Sequence, residues 1–175
     1  MKWYELLIDG YQRVPEFLES VLDGLTQDDL SWQPKYDCNS IGWLVWHLTR
    51  QQDAQIASLM GAEQLWIIDK WYDKFDMQAD PNDIGFGHTP EQVKAFKSPG
   101  VRELLDYNSA VVKRSKNYIR SLSEIDLDKE LDEPWFQPLP TVGVRLISIL
   151  DDSVLHAGQA AYIRGLRQGK GWQKY

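Results

Sequence analysis

A single cysteine, Cys38, excludes an internal disulfide. The chain also opens on Met1-Lys2-Trp3-Tyr4-Glu5 without a secretory pattern, so a reducing cytoplasm is the expected home. No apolar run approaches the roughly 20 residues that span a bilayer. Basic residues are too few to outweigh the acidic ones, and the net charge is -7. That balance argues against nucleic acid and against an anionic membrane surface as partners. No glycine loop for phosphate, no Cys/His zinc-finger spacing and no serine nucleophile elbow occurs. Histidine is scarce too, at three: His47, His88 and His156.

What remains is a chain of globular composition, 43% hydrophobic and 26% charged. Its 175 residues suit one domain, 1–175, around one sizeable core. Eight tryptophans supply the bulk for such a core, or walls for a cavity. Apolar residues at helical spacing predict four long helices, over about 2–25, 41–60, 99–122 and 141–169. Pro15 is expected to kink the first. Asn39 or Ser40 suits the cap of the second, and Gly61 its end. A short helix is expected within 62–69, mostly loop over 69–88, and a short helix begun by Thr89-Pro90-Glu91-Gln92. Between 123 and 142 three prolines exclude a regular helix. The sum is an all-α four-helix bundle with long inter-helix connections, a fold that binds metals through inward side chains of facing helices.

Asp152 and His156 are four residues apart in Asp151-Asp152-Ser153-Val154-Leu155-His156. On a helix both project from one face, one turn apart, in a stripe shared with Ile149, Ala160 and Ile163. An ionisable pair on an apolar stripe needs a partner. A divalent cation would serve, and so would a plain Asp–His hydrogen bond. His47, set among Ile41, Trp43, Leu44, Val45, Trp46 and Leu48, is expected to face inward and is the candidate third ligand. Imidazole and carboxylate suit Zn²⁺ best, with Ni²⁺, Mn²⁺ or Fe²⁺ as alternatives, and three protein ligands leave a position open. His88, in Gly85-Phe86-Gly87-His88, reads either as an acid/base, fourth ligand or substrate contact, or as a capping loop histidine. Cys38 has no base nearby in sequence and reads as a bystander thiol. Asp53 and Asp151 are candidates to orient a ligand from behind, with solvation the default for Asp151. Arg164 and Arg167 are explained by the end of the last helix, though either suits an anion.

Four stretches resemble the DinB-like superfamily of metal-binding four-helix bundles, and among it most the branch of mycothiol-dependent S-transferases and mycothiol-dependent maleylpyruvate isomerase. They are 39–50 (NSIGWLVWHLTR), 85–93 (GFGHTPEQV), 141–146 (TVGVRL) and 156–165 (HAGQAAYIRG). The resemblance implies ligands from one His on the second long helix, His47, and a pair on the last, Asp152 and His156. Asp152 stands where much of the superfamily has His and the isomerase relatives have Glu. The implied activity is metal-dependent transfer of a low-molecular-weight thiol, mycothiol-like, to an electrophilic small molecule held by Trp43, His88 and Trp135. Phe136 is a further aromatic wall. Metal-dependent hydrolysis or isomerisation is the alternative, and a non-catalytic metal-binding stress protein a third. The resemblance and the aromatic excess also point to a homodimer.

Overall fold

The computed structural model describes residues 1–173. The four expected long helices are present as α1 (Trp3–Leu22), α3 (Ile41–Met60), α7 (Val101–Ser121) and α9 (Val142–Gln168). Short helices lie between them: α2 (Gln27–Ser31), α4 (Leu65–Ile68), α5 (Trp71–Lys74), α6 (Pro90–Ala95) and α8 (Glu124–Leu127). Among the described residues there is no strand, only an isolated antiparallel bridge between Glu130 and Thr141. No described helix is long and apolar enough to cross a membrane.

The ends follow local chemistry. The Ser40 hydroxyl accepts from the Trp43 backbone N–H, and Gly61 closes α3 in the left-handed region at φ 60°. Thr89 and Gln92 cap α6 reciprocally, with Pro90 at its first position. Thr141 caps α9. α1 runs through Pro15 as one helix but stops at Leu22, three residues short of the apolar pattern. Leu25 is still buried, beyond the helix end, so it prolonged the pattern without extending the helix. α2, α5 and α8 were not expected from the sequence; each is a single turn or little more, too short for periodicity to register.

α3 packs on both α7 and α9, and α1 packs on the same two helices from the opposite side. Every residue from Ile41 to Arg50 is buried, because neighbouring helices and the 62–88 segment leave α3 no free face. Trp66, Trp71 and Phe75 anchor that segment in the core. Two polar steps cross the α3–α7 contact. Asn108 donates to Thr49 (3.0 Å) and Gln52 donates to Ser115 (2.8 Å), all four being buried. A slip along the helices would leave these groups unpaired, so they fix the register.

Candidate metal centre

The α3–α9 contact brings the three ligand candidates together. His47 comes from α3, Asp152 and His156 from adjacent turns of α9. The two imidazoles meet edge to face with centroids 4.8 Å apart. His156 Nε2 lies 3.4 Å from Asp152 Oδ1. One ligand atom from each residue lies within 4.8 Å of the other two. Ligand atoms around a tetrahedral ion are about 3.3 Å apart, so small side-chain adjustments complete the fit. Among the described residues no other group of three His, Cys, Asp or Glu side chains is so disposed.

Two further observations concern what the cluster is built to hold. Both imidazoles are oriented through Nδ1. A carbonyl only accepts, so the Ile84 carbonyl beside His47 Nδ1 places the proton there and leaves the Nε2 lone pair free. His156 Nδ1 donates to Gln159 Oε1 at 2.8 Å, with the same result. The second observation is Asp152 Oδ2, which is buried and has no hydrogen-bond partner. An orphaned carboxylate oxygen beside two imidazoles with matching tautomers is the donor set of a divalent cation, and the residues present fit one.

The two histidines are driven apart in proton affinity. Burial pushes His47 below the usual imidazole range, outweighing the Ile84 hydrogen bond. His156 is raised above it, chiefly by its hydrogen bond to Asp152. Cation and proton therefore compete mainly at His156 Nε2. As pH falls through the raised pKa of His156, metal affinity is expected to drop about tenfold per pH unit. It should level off above that pKa, and His47 should add to the loss only at more acidic pH. Competition titrations with a chelating dye between about pH 5 and 8 check this.

Trp43 stacks on His47 with centroids 4.7 Å apart and an interplanar angle of 16°. Its indole N–H donates to His88 Nδ1 (3.2 Å), and His88 Nε2–H donates to Asp83 (2.9 Å). His88 also stacks on Trp46. With both ring nitrogens engaged, His88 buttresses the centre from behind Trp43. Trp135 stands elsewhere, 73% exposed on the α8–α9 connection with its ring against Phe136. Asp53 accepts from the Leu65 and Trp66 backbone N–H groups and from Tyr107, so it holds the 62–88 segment rather than a ligand. Asp151 is exposed. Arg164 donates to the carbonyls of Ser20 and Val21 near the end of α1, and Arg167 pairs with Asp29. Cys38 is half-buried and lines a cavity of about 670 Å³ with Leu44, Gln159 and Tyr162.

Sequence reasoning gave no role to Ile84, Gly85 or Gln159. Gln159 was legible in principle, three residues beyond His156 on the same helix. Gly85 carried a weaker signal, as one of two glycines flanking Phe86. Its φ is 84°, and a Cβ there would lie 2.8–2.9 Å from Trp46, His47 Nδ1 and Trp43. Gly85→Ala is therefore expected to push the Ile84 carbonyl off His47 and lower metal affinity about 10- to 100-fold, the usual scale for loss of an orienting partner. Metal titration of the variant measures it, with circular dichroism showing that the helices persist.

A family model for the DinB superfamily matches residues 11–160. The chain is also similar to a solved structure described as a conserved protein from Enterococcus faecalis. The two share 33% identity with a TM-score of 0.89, over 97% of this chain and 99% of that one. No curated protein matches.

Proposed function

Since this chain belongs to the DinB superfamily, whose members typically bind metal, we propose that it is a divalent-metal-dependent transferase joining a low-molecular-weight thiol to an electrophilic small molecule. His47, Asp152 and His156 hold the ion, with Zn²⁺ favoured by the mixed imidazole and carboxylate set. When bound, the metal supplies Lewis acidity that keeps a thiol deprotonated near neutral pH. Ile84 and Gln159 fix the imidazoles, so no reorganisation is needed as charge builds during reaction. The Asp152 carboxylate offsets the positive charge of the site. The centre is open to reactants on the α9 side: the Asp152 side chain is 30% exposed and that of His156 16%.

The observation that supports the reading is that two cavities lie along the α3–α9 seam within about two turns of the triad, lined by its helix neighbours and not by the triad itself. Leu44, one turn before His47, and Gln159, which touches His156, line the larger one. Ser148, one turn before Asp152, and Gln55, two turns after His47, line a second of about 490 Å³. Transfer needs two reactants at one centre, and a hydrolase needs room for one besides water. In the reaction the thiol loses its proton to solvent, its sulfur bonds to the electrophilic carbon, and the displaced group leaves with the bonding electron pair. Mycothiol is the thiol that the resemblance to the S-transferase branch favours.

Metal analysis of the purified chain comes first, with about one divalent ion per chain expected. Conjugation of a chromogenic aryl halide with a panel of thiols, mycothiol among them, follows. Metal-dependent turnover with one thiol supports the reading. A metal-loaded protein inert with every thiol overturns it in favour of hydrolysis, isomerisation or non-catalytic binding, and a chain that takes up no metal overturns all of the metal-dependent readings.

A further inference from the structure

The second cavity has a composition of its own. Gln55, Ser148 and Arg145 form its polar side; Phe136, Leu139 and Val144 are among its apolar walls. Its volume of about 490 Å³ lies in the range of small-molecule sites. Among the described residues Arg145 is the one cation lining it, and its side chain is only 19% exposed. Nη1 donates to Gln55 Oε1 (3.2 Å), and Nη2 donates to the Glu133 carboxylate. Gln55 in turn donates to Gln51, which sits one turn from His47 on α3. A continuous polar track thus leads from Arg145 toward the metal centre.

Glu133 does not belong to the helices. It lies in the connection between α8 and α9, whose base is closed by the Glu130–Thr141 bridge and by backbone bonds from Leu131 to Pro140 (2.8 Å) and Val142 to Lys129 (3.0 Å). Beyond that base the connection turns large apolar side chains to solvent, Trp135 at 73% and Phe136 at 49% exposure. A guanidinium presents a planar fork matched to a carboxylate. Here that guanidinium lines a cavity with apolar walls, and the carboxylate it holds, through Nη2 alone, comes from the chain's own loop.

We propose that this cavity binds a small molecule carrying an apolar ring and a carboxylate, that the carboxylate pairs with Arg145, and that Glu133 occupies the same position when the ligand is absent. Ligand binding then exchanges one Arg145–carboxylate pair for another, while the apolar part is covered by Phe136, Leu139 and Val144. Assignment of this molecule as the electrophile in thiol transfer rests on the function proposed above; the binding itself does not.

The test is direct binding, with no turnover required. Phenylacetate and its uncharged isostere phenylacetamide are titrated into the purified protein and followed by tryptophan fluorescence and by calorimetry. Phenylacetate is expected to bind at least about tenfold tighter than the amide. Glu133→Gln removes the competing carboxylate and is expected to tighten phenylacetate binding several-fold. Arg145→Gln should abolish the preference for the acid, and Arg145→Lys should restore part of it if the glutamine variant folds poorly. If Glu133 is only a latch for the connection, Glu133→Gln will weaken binding or leave it unchanged, and the proposal fails. Equal binding of acid and amide by the unaltered protein overturns it too. Coordination of phenylacetate to the metal alone would be insensitive to both Glu133→Gln and Arg145→Gln, and that result also overturns it. Loss of transferase activity in the thiol panel, by contrast, would leave these binding results standing.

Discussion

Arg50→Met is expected to lower the unfolding free energy by about 3–5 kcal/mol, the usual cost of removing one partner from a buried ion pair. Arg50 is fully buried and carries its charge inside the protein. Its Nε donates to the Asp83 carbonyl (3.2 Å), and Nη2 donates to the carbonyls of Pro81 (3.1 Å) and Asp80 (3.4 Å). Nη1 donates to Gln64 (2.8 Å) and to the Tyr107 hydroxyl (3.4 Å), and it lies 3.7 Å from the buried Asp53 carboxylate. The guanidinium also stacks over Trp66, 4.6 Å from the ring. Methionine fills much of the volume but removes a donor from five acceptors, of which the Pro81 carbonyl keeps a second in Gln64, and leaves Asp53 without its nearest cation. Arg50→Lys retains the charge, yet three N–H groups on one point cannot serve acceptors spread along a plane, so it should recover only part of the loss. Denaturant unfolding of the three proteins provides the comparison. The site should suffer as well, since residues 80–83 lead directly into Ile84, which orients His47.

The second large effect is on metal content. His47→Ala and Asp152→Ala should each be purified with less than about a tenth of the wild-type metal, because two remaining ligands seldom hold a divalent ion through dialysis. Their effects on the fold should differ. His47 is buried, and its loss strands the Ile84 carbonyl and opens space against Trp43, so modest destabilisation accompanies it. Asp152 is partly exposed, and one of its oxygens is buried without a hydrogen-bond partner. Removing it should leave metal-free stability nearly unchanged or raise it. A metal-binding defect without a folding defect in Asp152→Ala identifies a residue kept for its ligand chemistry. Loss of metal in neither variant rejects the site.

Much of this was legible in the sequence, and the reasons are local. The four long helices announce themselves through apolar spacing, and α3 and α6 through caps that act within a few residues. Asp152 and His156 share a helix, so their spacing fixed their proximity. His47 lies over a hundred positions away; its apolar setting made it a candidate, and the resemblance joined it to them. The anchors of the 80–88 segment were not legible because they join Arg50 to backbone carbonyls, which every residue possesses and no motif marks. Arg145 and Gln159 fell within matched stretches, but sequence gave no hint that one would face Gln55 and the other His156. His88, in a loop just before a helix start, read either as a reactive group or as a capping loop histidine. Its two hydrogen bonds, to residues 45 and 5 positions away, make it a structural post.

The carbonyl of Ile84 reaches His47 across 37 residues of chain, and that separation bears on time rather than affinity. A ligand oriented from the next turn of its own helix, as His156 is by the exposed Gln159, keeps its orienting group at hand for as long as α9 persists. A ligand oriented by a surface segment is freed whenever that segment opens locally, and such openings are far more frequent than global unfolding. The residence time of the ion is therefore expected to track excursions of residues 80–88, which metal-exchange rates measured beside amide hydrogen exchange of that segment would show. Metal can be loaded and surrendered on that clock while the four helices remain assembled.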